Sequence, residues 1–336
     1  MADAKIDVLT IGNAIVDVFA KVDDSFLTQE GMDKAIMHLV DADRSAYLYG
    51  KLPGDRQHIS GGSCCNTAVG VASLGGNGAF IGKVADDDLG GIYRSDLEKA
   101  NVNYATQPLM HGTATARSMI VITPDGERTM NTYLGACQEL TVRDIEADED
   151  QISRAAITFM EGYLWDPAEA KRAFVKAAEL AHKHGKKTGI TLSDPFCVGR
   201  FRDEFVDLIR SGTIDVLLAN DEEIKSLYEV SDLNEAVAAV QKDCSTVAIT
   251  LGSEGAMAIK DGEVTKVPAV KVDNVEDVTG AGDLFASGFL LGLAREKDMA
   301  YSLSLGCLCA SEIISHVGAR PDVVLADLAS KAGLSI

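Results

Sequence analysis

Short, almost unbroken apolar runs recur along the chain, with amphipathic segments between them. "IDVLTIG" (6–12), "GAFIGKV" (78–84), "AAITFME" (155–161), "KTGITL" (187–192), "IDVLLAN" (214–220) and "STVAITLG" (245–252) have the length and β-branched content of strands. The intervening pattern is helical, as in "PAEAKRAFVKAAELAHKHG", where Pro167 marks a start and Gly185 a stop. Strands that are apolar throughout, alternating with helices, predict an α/β fold: a mainly parallel central sheet with helices on both faces. Two regions break the rhythm. "NAIVDVFAKV" with "KAIMHLV", and "VNYATQ" with "TARSMIVITPDGERTMNTYL", read as strands joined by short turns, "TPDGE" being a hairpin signal. They predict a small accessory sheet, formed discontinuously by about 13–40 and 102–133, inserted as a lid into one domain spanning 1–336.

The 46% hydrophobic content of these 336 residues is enough for a sizeable core. No segment approaches the roughly 18 consecutive apolar residues of a membrane span, and the acidic start "MADAKIDVLT" lacks signal-peptide character, so the expected location is cytoplasmic. A formal charge of −20 argues against a nucleic-acid partner, which would need a basic face. It does not exclude ATP, whose pocket can reverse the local sign with N–H groups and Mg²⁺. Seven cysteines at spacings that fit neither a zinc site nor a CxxC pair predict reduced, mostly buried thiols.

The chemistry concentrates in two glycine-led helix starts. In "DVTGAGDLFASGFLLGL", Gly280, Ala281 and Gly282 open a helix whose N–H groups would hold an anion. Asp283 inside that nest would repel the anion unless it takes a proton from a nucleophile attacking a phosphate. "SGGSCCNTAVGVASLGG" repeats the design with Gly61, Gly62 and Asn66. Asn13 and Asp17, in "GNAIVD" after a strand end, pair an amide with a carboxylate, a set suited to a vicinal diol. Asn220 and Glu223 share a helical face where a water-shelled Mg²⁺ and a phosphate oxygen would fit, although an acidic first turn explains the same residues equally well. Thr250, Gly252 and Gly255 form a turn that could pass under nucleotide phosphates. A P-loop is excluded because the spacing before Gly82–Lys83 is wrong and Val84 stands where Ser or Thr is required, and no G-x-G-x-x-G follows the first strand.

Together, "GGSCCNTA", "NDEE", "TLGSEGA" and "DVTGAGDLFASGFL", in that order, resemble the signatures of the ribokinase-like (PfkB) family of carbohydrate and nucleoside kinases. The resemblance spans essentially the whole chain. It implies the ribokinase-like fold and Asp283 as general base, with Gly280–Gly282 as anion hole for the γ-phosphoryl group. Asn220, Thr250, Gly252 and Gly255 would bind ATP, and Glu223 would hold Mg²⁺ through water. Asn13, Asp17, Gly61, Gly62 and Asn66 would grip sugar hydroxyls. Asp277 and Val317–Ala319 match places where relatives bind a monovalent cation, usually potassium. Ser63, where ribokinases usually carry lysine, resembles the adenosine kinase branch, whereas Glu161 sits where ribokinases have a sugar-binding glutamate. The expectation is ATP-dependent phosphorylation of the adenosine 5′-hydroxyl, with a sugar or other-nucleoside kinase as the alternative and an inactive nucleotide-binding regulator as the non-enzyme alternative. Monomer and homodimer stay equally open.

Overall fold

The computed structural model of the chain describes residues 5–334. Its nine-stranded sheet runs, edge to edge, through Glu263–Val267, Ala256–Lys260, Thr246–Thr250, Val216–Asn220, Lys187–Thr191, Ala155–Glu161, Ile6–Ile11, Gly78–Ile81 and Asn103–Tyr104. From Thr246–Thr250 onward all neighbours are parallel; the first two strands form an antiparallel hairpin edge. Burial on both faces explains the continuous apolar runs: Val216 and Leu218 join one core, Leu217 and Ala219 the other. All seven cysteines are buried and unpaired.

The strand order reverses between Ile6–Ile11 and Ala155–Glu161. At such a switch point the connecting chains leave in opposite directions and open a crevice at the carboxyl ends of the strands. Asn13 and Glu161 stand at that mouth.

A second sheet of five strands, ordered Met37–Leu39, Arg128–Tyr133, Ala116–Ile122, Ile15–Lys21 and Gln57–Gly61, forms the lid. Three features differ from the sequence expectation. Residues Asn103–Tyr104 pair with Ala79–Phe80 at the edge of the large sheet, because the Tyr104 ring packs on Phe80 and Tyr93. The link from Ile15–Lys21 to Met37–Leu39 contains the helix Asp24–Glu30 and is no short turn. The polar run Gln57–Gly61 supplies an unanticipated fifth strand, paired antiparallel with Ile15–Phe19. The chain crosses between the two sheets four times, and the crossings at residues 12–14 and at Gly62 border the crevice.

Candidate active site

The helix Ser63–Ser73 starts at Gly62, whose φ of 102° and close approach to the Asn13 carbonyl, 1.9 Å from where a Cβ would sit, admit only glycine. The helix Ala281–Ala294 starts at Gly280, also left-handed at φ 82°. The two helices pack closely because Gly70 faces Ser287, where a Cβ would lie 2.4 Å from the hydroxyl. Their N-termini therefore meet. Asp283 Oδ2 accepts from Asn66 Nδ2 at 2.8 Å, and Oδ1 accepts from the Ser63 hydroxyl at 2.6 Å. Burial raises the Asp283 carboxyl above the usual range, while the Ser63 and Asn66 hydrogen bonds pull it back toward the ionised form. Asn66 Oδ1 is buried with no partner, an acceptor suited to a ligand hydroxyl.

Glu161 is 1% exposed and spends both oxygens inside the protein. Oε1 accepts from the Asn13 backbone N–H at 2.9 Å and its Nδ2 at 2.7 Å; Oε2 accepts from the Cys64 N–H at 2.8 Å. Burial pushes its pKa up to about 7, against the pull of those donors, and the Asp283 charge adds to the rise. Glu161 thus positions Asn13 and the start of the helix Ser63–Ser73. Asp17, on the lid strand Ile15–Lys21, is likewise raised to about 7 by burial, with Arg320 opposing and Asp283 adding. Gly61 makes room for it: a Cβ there would fall 2.4 Å from Asp17 Oδ2.

A cleft of about 750 Å³ brings together Asn13, Asp17, Gly62, Asn66, Glu161 and Gly280–Asp283, and continues to Asn220, Glu223 and Thr250. Asn220 and Glu223 form a reciprocal cap on the helix Asp221–Tyr228: Asn220 Oδ1 accepts from the Glu223 N–H at 2.8 Å, and the Glu223 carboxylate accepts from the Asn220 N–H and Nδ2. Burial raises Glu223 to about 7. A carboxylate offers about four lone-pair sites, so room remains for a water-mediated cation. Gly61, Gly252, Gly255 and Asp277 lie outside the cleft lining. Gly255 is required by its φ of 106° and by the Val267 carbonyl, 2.1 Å from a hypothetical Cβ.

Sequence reasoning did not place Ser63 or Arg320 in the site. Arg320 Nε donates to the Ser60 carbonyl at 2.9 Å and Nη2 to its hydroxyl at 2.7 Å, bracing the lid strand Gln57–Gly61. It also missed the apolar side chains in the cleft lining: Ile15, Met37, Leu39, Leu134, Phe196 and Phe201.

The sequence pattern of the pfkB family of carbohydrate kinases matches residues 31–325. The chain belongs to this family. A PfkB kinase is a phosphotransferase with an alcohol acceptor, and its members use ATP with Mg²⁺. This PfkB kinase is similar to the adenosine kinase of Sinorhizobium meliloti, at 49% identity and a TM-score of 0.88 over 98% of this chain and 100% of that one. It is also similar to a probable sugar kinase of Rhizobium etli CFN 42, at 47% identity and a TM-score of 0.88 over 98% and 99% of the two chains. The probable chloroplastic fructokinase-6 of Arabidopsis thaliana is 31% identical over 279 residues, 78% of this chain and 71% of that protein. Among the described residues, no helix is long and apolar enough to cross a membrane.

Proposed function

We propose that this PfkB kinase transfers the γ-phosphoryl group of ATP to the 5′-hydroxyl of adenosine, giving AMP and ADP. The observation that carries the reading is that one cleft combines hydrogen-bonding side chains with exposed apolar ones. Asn13, Asp17, Asn66 and Asp283 suit a ribose, whereas Met37, Leu39 and Phe196, at 51%, 62% and 74% exposure, leave apolar surface facing the cleft. A purine would cover that surface; a free sugar would leave it wet. The whole-length similarity to the Sinorhizobium adenosine kinase supports the same acceptor. The similarity to a probable sugar kinase favours the second reading, a sugar acceptor, but Glu161, the carboxylate it would use, is 1% exposed and already accepts from three N–H donors.

In this reading Asp283 accepts the 5′-hydroxyl proton as the oxygen attacks the γ-phosphorus, and Ser63 and Asn66 hold its carboxylate in place. The N–H groups at Gly280–Gly282 stabilise the charge that develops on the transferring group. Asn220 and Thr250 contact the ATP phosphates, with Gly252 and Gly255 shaping the turn beyond. Glu223 would hold Mg²⁺ through water, and the metal would supply neutralisation of phosphate charge. Asp17 and the free Asn66 Oδ1 take the ribose hydroxyls. Lid closure excludes water, which would otherwise compete as acceptor.

The test is 2′-deoxyadenosine. A site that hydrogen-bonds a hydroxyl leaves its own buried groups unpaired when the hydroxyl is missing, so kcat/KM is expected to fall by about 10² or more relative to adenosine. Equal values for the two nucleosides would remove the diol contacts from the proposal.

A further inference from the structure

Asp277 stands in the loop leading to the anion-hole helix, where relatives of this fold are expected to hold a monovalent cation. Its carboxylate is full. Oδ1 accepts from the Thr279 N–H at 3.1 Å and its hydroxyl at 2.8 Å; Oδ2 accepts from the Gly318 N–H at 2.9 Å and from Arg128 Nη1 at 2.6 Å. Four donors occupy the roughly four lone-pair sites that a carboxylate offers. One of those donors carries a full positive charge, and both partners of the ion pair are largely shielded, at 17% and 12% side-chain exposure. A potassium ion on the same oxygens would displace these donors and sit against a guanidinium in a poorly screened place. Asp277, so occupied, does not fit the ion.

Arg128 belongs to the lid: it opens the strand Arg128–Tyr133. The positive charge at Asp277 therefore comes from the lid sheet, and the Asp277–Thr279 turn that it braces leads directly into Gly280 and the helix Ala281–Ala294. We propose that Arg128 replaces the monovalent cation in this kinase, so that phosphoryl transfer needs no potassium and the anion-hole loop is set by contact with the lid. Arg128 acts as a positioning residue, through Asp277 and Thr279. It has no role in the proton transfer.

The experiment compares the full chain in potassium chloride and in tetramethylammonium chloride at equal ionic strength. In the first arm, thermal unfolding is followed without nucleotide or acceptor. In the second, ADP release is measured with Mg·ATP and adenosine. The wild-type protein is expected to show the same Tm in both salts and rates within about twofold, the two salts differing only in non-specific screening. Arg128→Ala, which frees one acceptor site on Asp277 Oδ2, is expected to lose tenfold or more in kcat without potassium, to recover most of it with potassium, and to gain a saturable rise in Tm. Arg128→Lys keeps the charge and is expected to remain indifferent to potassium. Saturable potassium activation of the wild type above about threefold, or a saturable potassium-specific rise in its Tm, overturns the proposal. So does an Arg128→Ala protein that responds to potassium in neither arm. If Arg128→Ala fails to fold, the wild-type and Arg128→Lys comparisons still decide. The thermal arm needs no acceptor, so a mistaken acceptor silences the kinetic arm alone.

Discussion

At the scale of the residue, the decisive feature is a carboxylate where a helix N-terminus would ordinarily bind an anion. Asp283 is tied to Ser63 and Asn66, so it stays aimed at one point of the cleft. Replacing it by asparagine keeps the shape and removes the proposed proton acceptor. Asp283→Asn is expected to lower kcat by roughly 10²–10⁴ with little change in ATP affinity, measured by steady-state kinetics alongside calorimetric titration of nucleotide. Near-normal turnover would take the base assignment away from Asp283. The type of this residue was legible in the sequence because a charge amid small residues demands a reason. Its partners were not: Asn66 lies 217 positions away, and Ser63 gains a role only because Gly70 lets two helices approach. Glu161 shows the converse. A strand-end glutamate suggested a ligand to a sugar, but the fold surrounds it with N–H donors and makes it a support for Asn13.

At the scale of the element, the site depends on turns that only glycine can make. Gly62 ends the crossing from the lid strand Gln57–Gly61 into the helix Ser63–Ser73, and a side chain there would strike the Asn13 carbonyl. Gly62→Ala combines left-handed backbone strain with that clash. It is expected to cost at least about 1–3 kcal/mol in urea unfolding and to depress activity by displacing both Asn13 and Ser63. A variant as stable and active as wild type would show that the turn has an easy alternative. The six core strands were readable because burial on both faces forces continuous apolar runs. The lid strand Gln57–Gly61 was hidden by its composition, since glutamine, histidine, serine and glycine carry little strand signal and pairing with Ile15–Phe19 decides its fate. Asn103–Tyr104 was assigned to the wrong sheet because two residues have no periodicity; the aromatic contacts with Phe80 and Tyr93 settle the matter.

At the scale of the whole molecule, burying carboxyl groups around the cleft costs stability. Asp17, Glu161 and Glu223 are each raised to about 7 by burial around one cleft. An unfolded chain releases these protons near the ordinary carboxylate range, so between about pH 4.5 and 7 the folded protein holds more protons than the unfolded one, and its stability falls as pH rises through that window. His58, lowered by burial and by Arg56, acts in the opposite direction as a single group. Ligand-free protein is therefore expected to melt at a higher temperature at pH 5.5 than at pH 7.5 at fixed ionic strength. A rise in Tm over the same interval would contradict the three raised carboxyls.

The most direct measurement of what the whole cleft does is a competition among acceptors. Purified protein with Mg·ATP is offered adenosine, ribose and fructose, and ADP release and the phosphorylated product are followed for each. The polar and exposed apolar side chains of the cleft acting together predict AMP as product, with kcat/KM for adenosine exceeding that for either sugar by about 10² or more, because a purine supplies the contacts that a bare sugar lacks. Phosphorylation of ribose or fructose as efficiently as adenosine would contradict the account.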